Sequence, residues 1–364
     1  MDPFTHALSG ALAGRALAPA PASPAGTART ALWTGLAAAL APDADYLLRL
    51  AADPLTYLNW HRTFTHSLLL LPLWAGLLTA LLGPARRRLG SGRTGLIVAT
   101  GTALHILLDL VTPFGTAVLW PLDGRRFSLS STFVVDPLVT VPLLAGLVLA
   151  WRADRRGDGR GGAVAGVALL LAGGVLAAEQ ALHQRALALA RAHAAALGLG
   201  PERAHAIPQP LSPLRWKLVV ETPAGYAVAH VRLFARAGGV QAAGAAPPEG
   251  ILDRVAAAYA PAARPPWRLV PHPARDGRAR PLAARAWSRP ELAAFRRFAR
   301  FPFVVGETRE GGMPCAWFSD LRFAVPGLAP PFRFGLCRGG DGTTWRLRHL
   351  PRRARGVHAP LTAD

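Results

Sequence analysis

The sequence predicts an α-helical membrane bundle of four or five spans plus a short N-terminal half-helix. A soluble α+β domain with an antiparallel sheet follows it. Three observations carry this prediction. Mean hydropathy is positive, +0.24, although 17% of the 364 residues are charged. Apolar runs with short charged breaks fill the first 180 residues, whereas short strand-like runs dominate after residue 200. Histidines and aspartates sit at or near the ends of the apolar runs, where ionisable groups beside lipid are costly and mark sites.

Residues 4–18 are too short and too polar to span, and predict a half-helix buried by protein. Residues 19–29 form a Pro/Ala linker. Residues 30–42 fall short of the roughly 20 residues a span needs, so they continue into Tyr46–Leu50 or stop at Pro42. The runs His66–Leu82, Thr94–Val111, 133–151 and 161–178 predict spans. Thr65 is placed to cap the helix that starts at His66. The last helix is expected to run on as a stalk over 181–200, ended by Gly198, Gly200 and Pro201. The domains are thus 1–180, the stalk, 201–350 and a disordered tail over 351–364.

Loop charge orients the bundle. Arg86, Arg87, Arg88 and Arg93 in one loop, and Arg152, Arg155, Arg156 and Arg160 in another, belong on the cytoplasmic side. The loops 43–65 and 112–132 then face outward, as does the domain after residue 200. That domain predicts strands at Arg215–Glu221, Tyr226–Phe234, Phe303–Thr308, Ala316–Phe323, Phe332–Cys337 and Thr343–Leu350. Helical stretches are expected at 250–260 and 290–300. The start of the chain lacks the basic segment of a cleavable signal peptide. Cys315 and Cys337 either pair in an oxidising compartment or stay as buried thiols.

The formal net charge is +20, but Lys217 is the one lysine among 41 basic residues. The arginines are dispersed rather than gathered in a patch, which argues against a nucleic-acid partner.

The chemistry lies in four places. His105 and Asp109 are four apart on one helix face, as two ligands or as a polar pair between helices. His61 and His66 flank Arg62 where a loop enters the bundle, and Arg62 can hold a phosphate or carboxylate bidentately. Asp43 and Asp45 supply two carboxylates, as ligands or as a base. His6 sits alone in the half-helix. Together they form the donor set that zinc, manganese or iron accepts, with zinc favoured. No Ser or Cys nucleophile motif accompanies them apart from Ser67 beside His66, so water activated by a divalent metal is the expected nucleophile. In the outer domain Asp320 and Arg322 read as an ion pair on one strand face.

At these residues a family resemblance emerges. The motifs are Met1-Asp2-Pro3-Phe4-Thr5-His6, Ala41-Pro42-Asp43-Ala44-Asp45, His61-Arg62-Thr63-Phe64-Thr65-His66-Ser67 and His105-Ile106-Leu107-Leu108-Asp109. Thr112-Pro113-Phe114-Gly115 and Trp120-Pro121 follow. In this order they resemble the YdjM/YbcI-like family of bacterial inner-membrane proteins, which are classed as metal-dependent hydrolases. The resemblance implies a multi-pass protein of the cytoplasmic membrane. The expected function is a membrane-embedded metal-dependent hydrolase acting on a lipidic or phosphoester substrate beside Arg62, Arg125 and Arg126. His6, His61, His66, His105 and Asp109 are the expected metal ligands, with Asp43, Asp45 and Arg62 catalytic. The expected partners are membrane lipid and a membrane-proximal substrate. The alternative is a scaffold or envelope-stress protein in which these residues only pack helices. A transporter would need polar groups in both halves of the membrane, and the cytoplasmic half has few.

Overall fold

The computed structural model describes all residues except 20–25, 236–249, 251–254, 276–279 and 351–364. The expected tail and most of the expected linker lie outside the described residues. The chain divides into two compact units, Met1–Ala52 with Trp60–Leu182, and Asp53–Asn59 with His183–Asp364.

In the first unit, helix α1 spans Pro3–Ala16 and α2 spans Thr27–Leu40. Asp2 caps α1 by accepting from the Phe4 and Thr5 amides, with Pro3 in the first turn. The two helices meet backbone to backbone. A Cβ at Gly10 or Gly14 would run into the carbonyl of Gly35 or Ala31, and one at Gly35 would strike Gly10. Small residues at this spacing let membrane helices approach without side chains between them. Four short helices follow α2 in the chain: α3 (Leu48–Ala51), α4 (Pro54–Trp60), α5 (Leu71–Leu81) and α6 (Gly83–Leu89). Gly101 packs on Gly35 and Ala38 as the α1 glycines do, which brings in helix α7, Ser91–Leu110.

Helices α8, Pro137–Arg156, and α9, Gly161–Ala196, complete the long elements. Leu8, Leu12, Leu108, Val139, Leu143 and Ala168 form the core between α1, α7, α8 and α9. Leu144, Leu170 and Leu171 are exposed on the outside of this bundle, as a lipid-facing surface requires. Helices α7, α8 and α9 are long and apolar enough to cross a membrane.

One expected span is corrected. The run His66–Leu82 is not a single helix: its helical part is Leu71–Leu81, and it meets the Pro54–His66 segment at 82°. Among the described residues the candidate spans are therefore three, or four if this bent pair crosses as one, so the lower expected number is met only in that case and a fifth span is not found. Thr65 does not cap a helix starting at His66, because Phe64–His66 is one 3-10 turn. Residues 67–70 instead bend around Ser67, whose Oγ accepts from the Leu69 and Leu70 amides at 3.2 and 3.3 Å.

The second unit holds two sheets rather than one. Strands β1 (Ala204–Pro208), β2 (Arg215–Thr222) and β3 (Gly225–Arg232) pair antiparallel, and β5 (Arg268–Pro271) joins β3. The short β4, Ala260–Pro261, pairs parallel with β3. The second sheet is the antiparallel meander β6 (Pro302–Glu310), β7 (Met313–Asp320), β8 (Arg333–Arg338) and β9 (Trp345–Leu350). Val219, Tyr226 and Val228 of the first sheet share a core with Phe303, Val305 and Trp317 of the second. Cys315 and Cys337 face each other across β7 and β8 and are disulfide-bonded, which resolves the alternative left by the sequence. Asp320 and Arg322 form the expected ion pair, at 2.9 Å, although Arg322 lies past the end of β7.

Candidate metal centre

The first unit gathers most of the sequence-predicted residues at one end of α7. His105 and Asp109 come from α7 itself. Asp43 and Asp45 come from a 3-10 stretch, Ala41–Leu47, that continues α2 past Pro42. His61 and Arg62 come from the turn before Phe64–His66, and His66 closes that turn. His6 comes from α1.

Four ligand atoms converge. Asp43 Oδ1, His66 Nε2, His105 Nε2 and an Asp109 carboxylate oxygen lie within 4.8 Å of one another. The two Nε2 atoms are 3.0 Å apart. Asp109 Oδ2 is 3.2 Å from His66 Nε2 and 3.5 Å from His105 Nε2. Asp43 Oδ1 is 3.8 and 3.7 Å from the same nitrogens. A tetrahedral ion with bonds near 2.0 Å requires ligand–ligand edges of about 3.3 Å, so these separations bracket the required value.

Hydrogen bonding explains why a cation fits there. His105 Nδ1 is 2.6 Å from the Ala39 carbonyl oxygen, which only accepts, so Nδ1 carries the proton and Nε2 the lone pair. The Thr65 hydroxyl donates to Asp45 Oδ2 at 3.1 Å, so at 2.8 Å from His66 Nδ1 it must accept. His66 Nε2 therefore also presents a lone pair. Asp109 Oδ2 is buried and has no hydrogen-bond donor. Three acceptors thus face one point with no proton between them, which is costly unless a cation sits there. Of the four side chains only Asp43 touches solvent, at 13% exposure against 0% for the others, so access is from its side.

Asp109 is held from behind. Its Oδ1 accepts from Arg62 Nη2 at 2.8 Å and lies 3.1 Å from His6 Nε2. The Met1 amino nitrogen contacts both His6 and Asp109. The His6 ring stacks on His105 with centroids 3.8 Å apart. His6 thus braces two members of the group without standing in it.

A second group, Asp43, Asp45 and His61, shares Asp43 with the first. It differs in being satisfied internally. Asp45 Oδ1 is 2.9 Å from His61 Nδ1, and Oδ2 accepts from the Arg62 amide and Thr65. Arg62 adopts a left-handed backbone, φ 59°, a conformation that costs a non-glycine residue energy and gathers at functional sites. Both sides of it are pinned: its amide donates to Asp45, its carbonyl accepts from Ala117, and its Nη1 donates to Thr112 Oγ1 at 2.9 Å.

The other arginines divide. Arg126 donates to the His61 carbonyl at 2.9 Å, whereas Arg125 pairs with Asp123 and is 80% exposed. Ser67 donates to the Trp120 carbonyl at 2.5 Å, which makes it a structural turn residue rather than a nucleophile.

The profile of the YdjM inner membrane protein family matches residues 1–182, the segment that contains every residue of the centre. The chain belongs to the YdjM inner membrane protein family. This places it in the inner membrane, consistent with its candidate spans. It is 29% identical over 155 residues to the uncharacterized protein YfhP of Bacillus subtilis (strain 168). That match covers 42% of this chain and 47% of YfhP, so the alignment spans about half of the curated relative. No solved structure matches the chain.

Sequence reasoning missed three contributors. The Ala39 carbonyl has no sequence signature. Thr65 has the sequence position of a cap, but in the structure it is the acceptor that sets the His66 tautomer. Thr112, which holds Arg62, follows the helix end and carries a signal only as part of the Thr112–Gly115 turn.

Proposed function

We propose that this family member is a membrane-embedded metal-dependent hydrolase, holding one divalent ion on Asp43, His66, His105 and Asp109. The observation that carries this reading is the set of acceptor atoms at 3.0–3.8 Å with no donor among them. Two neutral histidines and two carboxylates suit zinc first, and manganese or iron second. When bound, such an ion lowers the pKa of a water molecule and polarises a carbonyl or phosphoryl oxygen.

The chain supplies the rest. His105 and His66 are fixed in one tautomer by Ala39 and Thr65. The carboxylate of Asp45 accepts the Nδ1 proton of His61, which makes Nε2 the basic nitrogen of that ring. In hydrolysis His61 would take one proton from the attacking water and pass it to the leaving alkoxide, with Asp45 stabilising the imidazolium between the two steps. Arg62 holds the Asp109 carboxylate in place and adds positive charge beside it. Access from the Asp43 side, in a protein of the inner membrane, favours a membrane-proximal ester or phosphoester. Arginine-rich loops at 84–93 and 151–160 favour an outward-facing centre and an extracytoplasmic second unit, and a disulfide there suits an oxidising compartment.

The deciding experiment is elemental analysis of purified wild type beside the His66→Ala, His105→Ala double variant. About one equivalent of zinc, manganese or iron is expected in the wild type and none in the variant. Absence of metal from both, after reconstitution with each ion, leaves helix packing as the role of these residues and overturns the hydrolase.

A further inference from the structure

A cavity of about 450 Å³ lies against the metal centre within the first unit. Its apolar walls include Leu47, Leu48, Ala51, Trp74, Leu77 and Leu78, and its polar lining is Asp45, Thr65 and Thr102. Asp45 is bonded to His61, the proposed base, and Thr65 to His66, a proposed ligand. The cavity is therefore mostly hydrocarbon, with polar residues that adjoin the proposed chemistry. Two of its apolar lining residues are exposed, Leu47 at 65% and Leu77 at 46%.

Size and chemistry select the occupant. The cavity volume lies in the range of small-ligand sites, which are mostly apolar with a few convergent polar groups. The Trp74 indole is fixed by donating to the Phe64 carbonyl at 2.8 Å, so this wall presents its hydrocarbon face and no spare donor. A hydrocarbon chain attached to a polar head matches both kinds of lining, and a free phosphate or sugar matches only one.

We infer that the cavity is the tail site of the hydrolase. It receives the acyl or alkyl chain of a membrane lipid, while the ester or phosphoester at the head of that chain lies at the metal centre. The inference rests on the proposed function and narrows its substrate from any membrane-proximal ester to an amphiphile whose chain enters beside the scissile group. The step remains hydrolysis: water forms the new bond to the acyl carbon or phosphorus, the ester oxygen leaves with a proton, and the chain departs from the cavity.

The test uses the full chain in lipid nanodiscs with dodecyl phosphate carrying a diazirine at the chain terminus. Photolysis followed by peptide mapping locates the tail. Adducts are expected on residues 47–51 and 74–78, at least fivefold above those on other lipid-facing segments such as 167–171. Two fillers, Leu78→Trp inside the cavity and Ala51→Phe at its rim, are expected to reduce cavity labelling to that background while metal content is unchanged. Metal content also reports that the variants fold. Even labelling of all lipid-facing helices, or cavity labelling unmoved by both fillers, overturns the tail site. Metal analysis on the same samples separates the two ideas. Labelled cavity without metal sinks the hydrolase and keeps the tail site, and bound metal with even labelling does the reverse.

Discussion

His66 Nε2 and His105 Nε2 face each other across 3.0 Å with no proton to share, because each ring donates its Nδ1 proton elsewhere. For the proposed ion, tautomer control should therefore contribute to affinity alongside ligand identity.

Thr65→Val tests that point. The variant keeps all four ligand atoms and removes the acceptor for His66 Nδ1. Loss of such an outer partner costs about 10–100-fold in metal affinity. Competition against a graded series of chelators reads this directly, and an unchanged dissociation constant means that Thr65 does not set the ring.

Helix contact should matter at a distance. Gly35→Ala places a methyl group against the Gly10 carbonyl and the Gly14 backbone, and overpacking of this kind costs about 1–3 kcal/mol. The displaced α2 carries Ala39, so metal retention should fall along with thermal stability. Gly76→Ala is the control, since nothing lies within 4 Å of its Cβ position. It is expected to be neutral or stabilising by about 0.4–1 kcal/mol. Equal losses in both variants would argue for a general helix effect.

The second unit makes a pH prediction. Lys217 is fully buried, and its Nζ donates to the Leu321 carbonyl at 2.6 Å and to that of Ala324. Burial lowers its pKa from 10.5 to about 7. Between those values the unfolded chain binds more protons than the folded one, so stability rises as pH rises from about 7 towards 10.5. Hydrogen exchange of the β2 amides, corrected for intrinsic rates, should report slower opening at pH 9 than at pH 7. Lys217→Met should flatten this slope whatever it does to absolute stability. A slope that survives the substitution assigns the effect to another group.

Much of the centre was legible in the sequence because polar residues are rare in apolar helices and their spacing survives folding. His105 and Asp109 share a face of α7 as the four-residue interval requires. Asp43 and Asp45, by contrast, looked like equivalent carboxylates. Only the fold separates them, turning Asp43 to the ligand group and Asp45 to His61. His6 could not be placed from sequence, since stacking on His105 depends on how closely α1 approaches its neighbours. The bend at Ser67 was hidden for a different reason. A hydropathy window measures how apolar a segment is and not its direction, and 66–82 is apolar throughout. In the second unit the longer strands were visible by pattern, but the five-residue β1, the two-residue β4 and the four-residue β5 were too short to stand out. The Cys315–Cys337 bond needed the β7–β8 register.

The glycine seam between α1 and α2 has a consequence for motion. A side chain at a helix contact can change rotamer, and each change shifts the contact slightly. Backbone packed on backbone has no such rotors. The Ala39 carbonyl, carried one turn beyond Gly35, therefore stands on a contact without that freedom, and the imidazole it orients is held by the same rigid element.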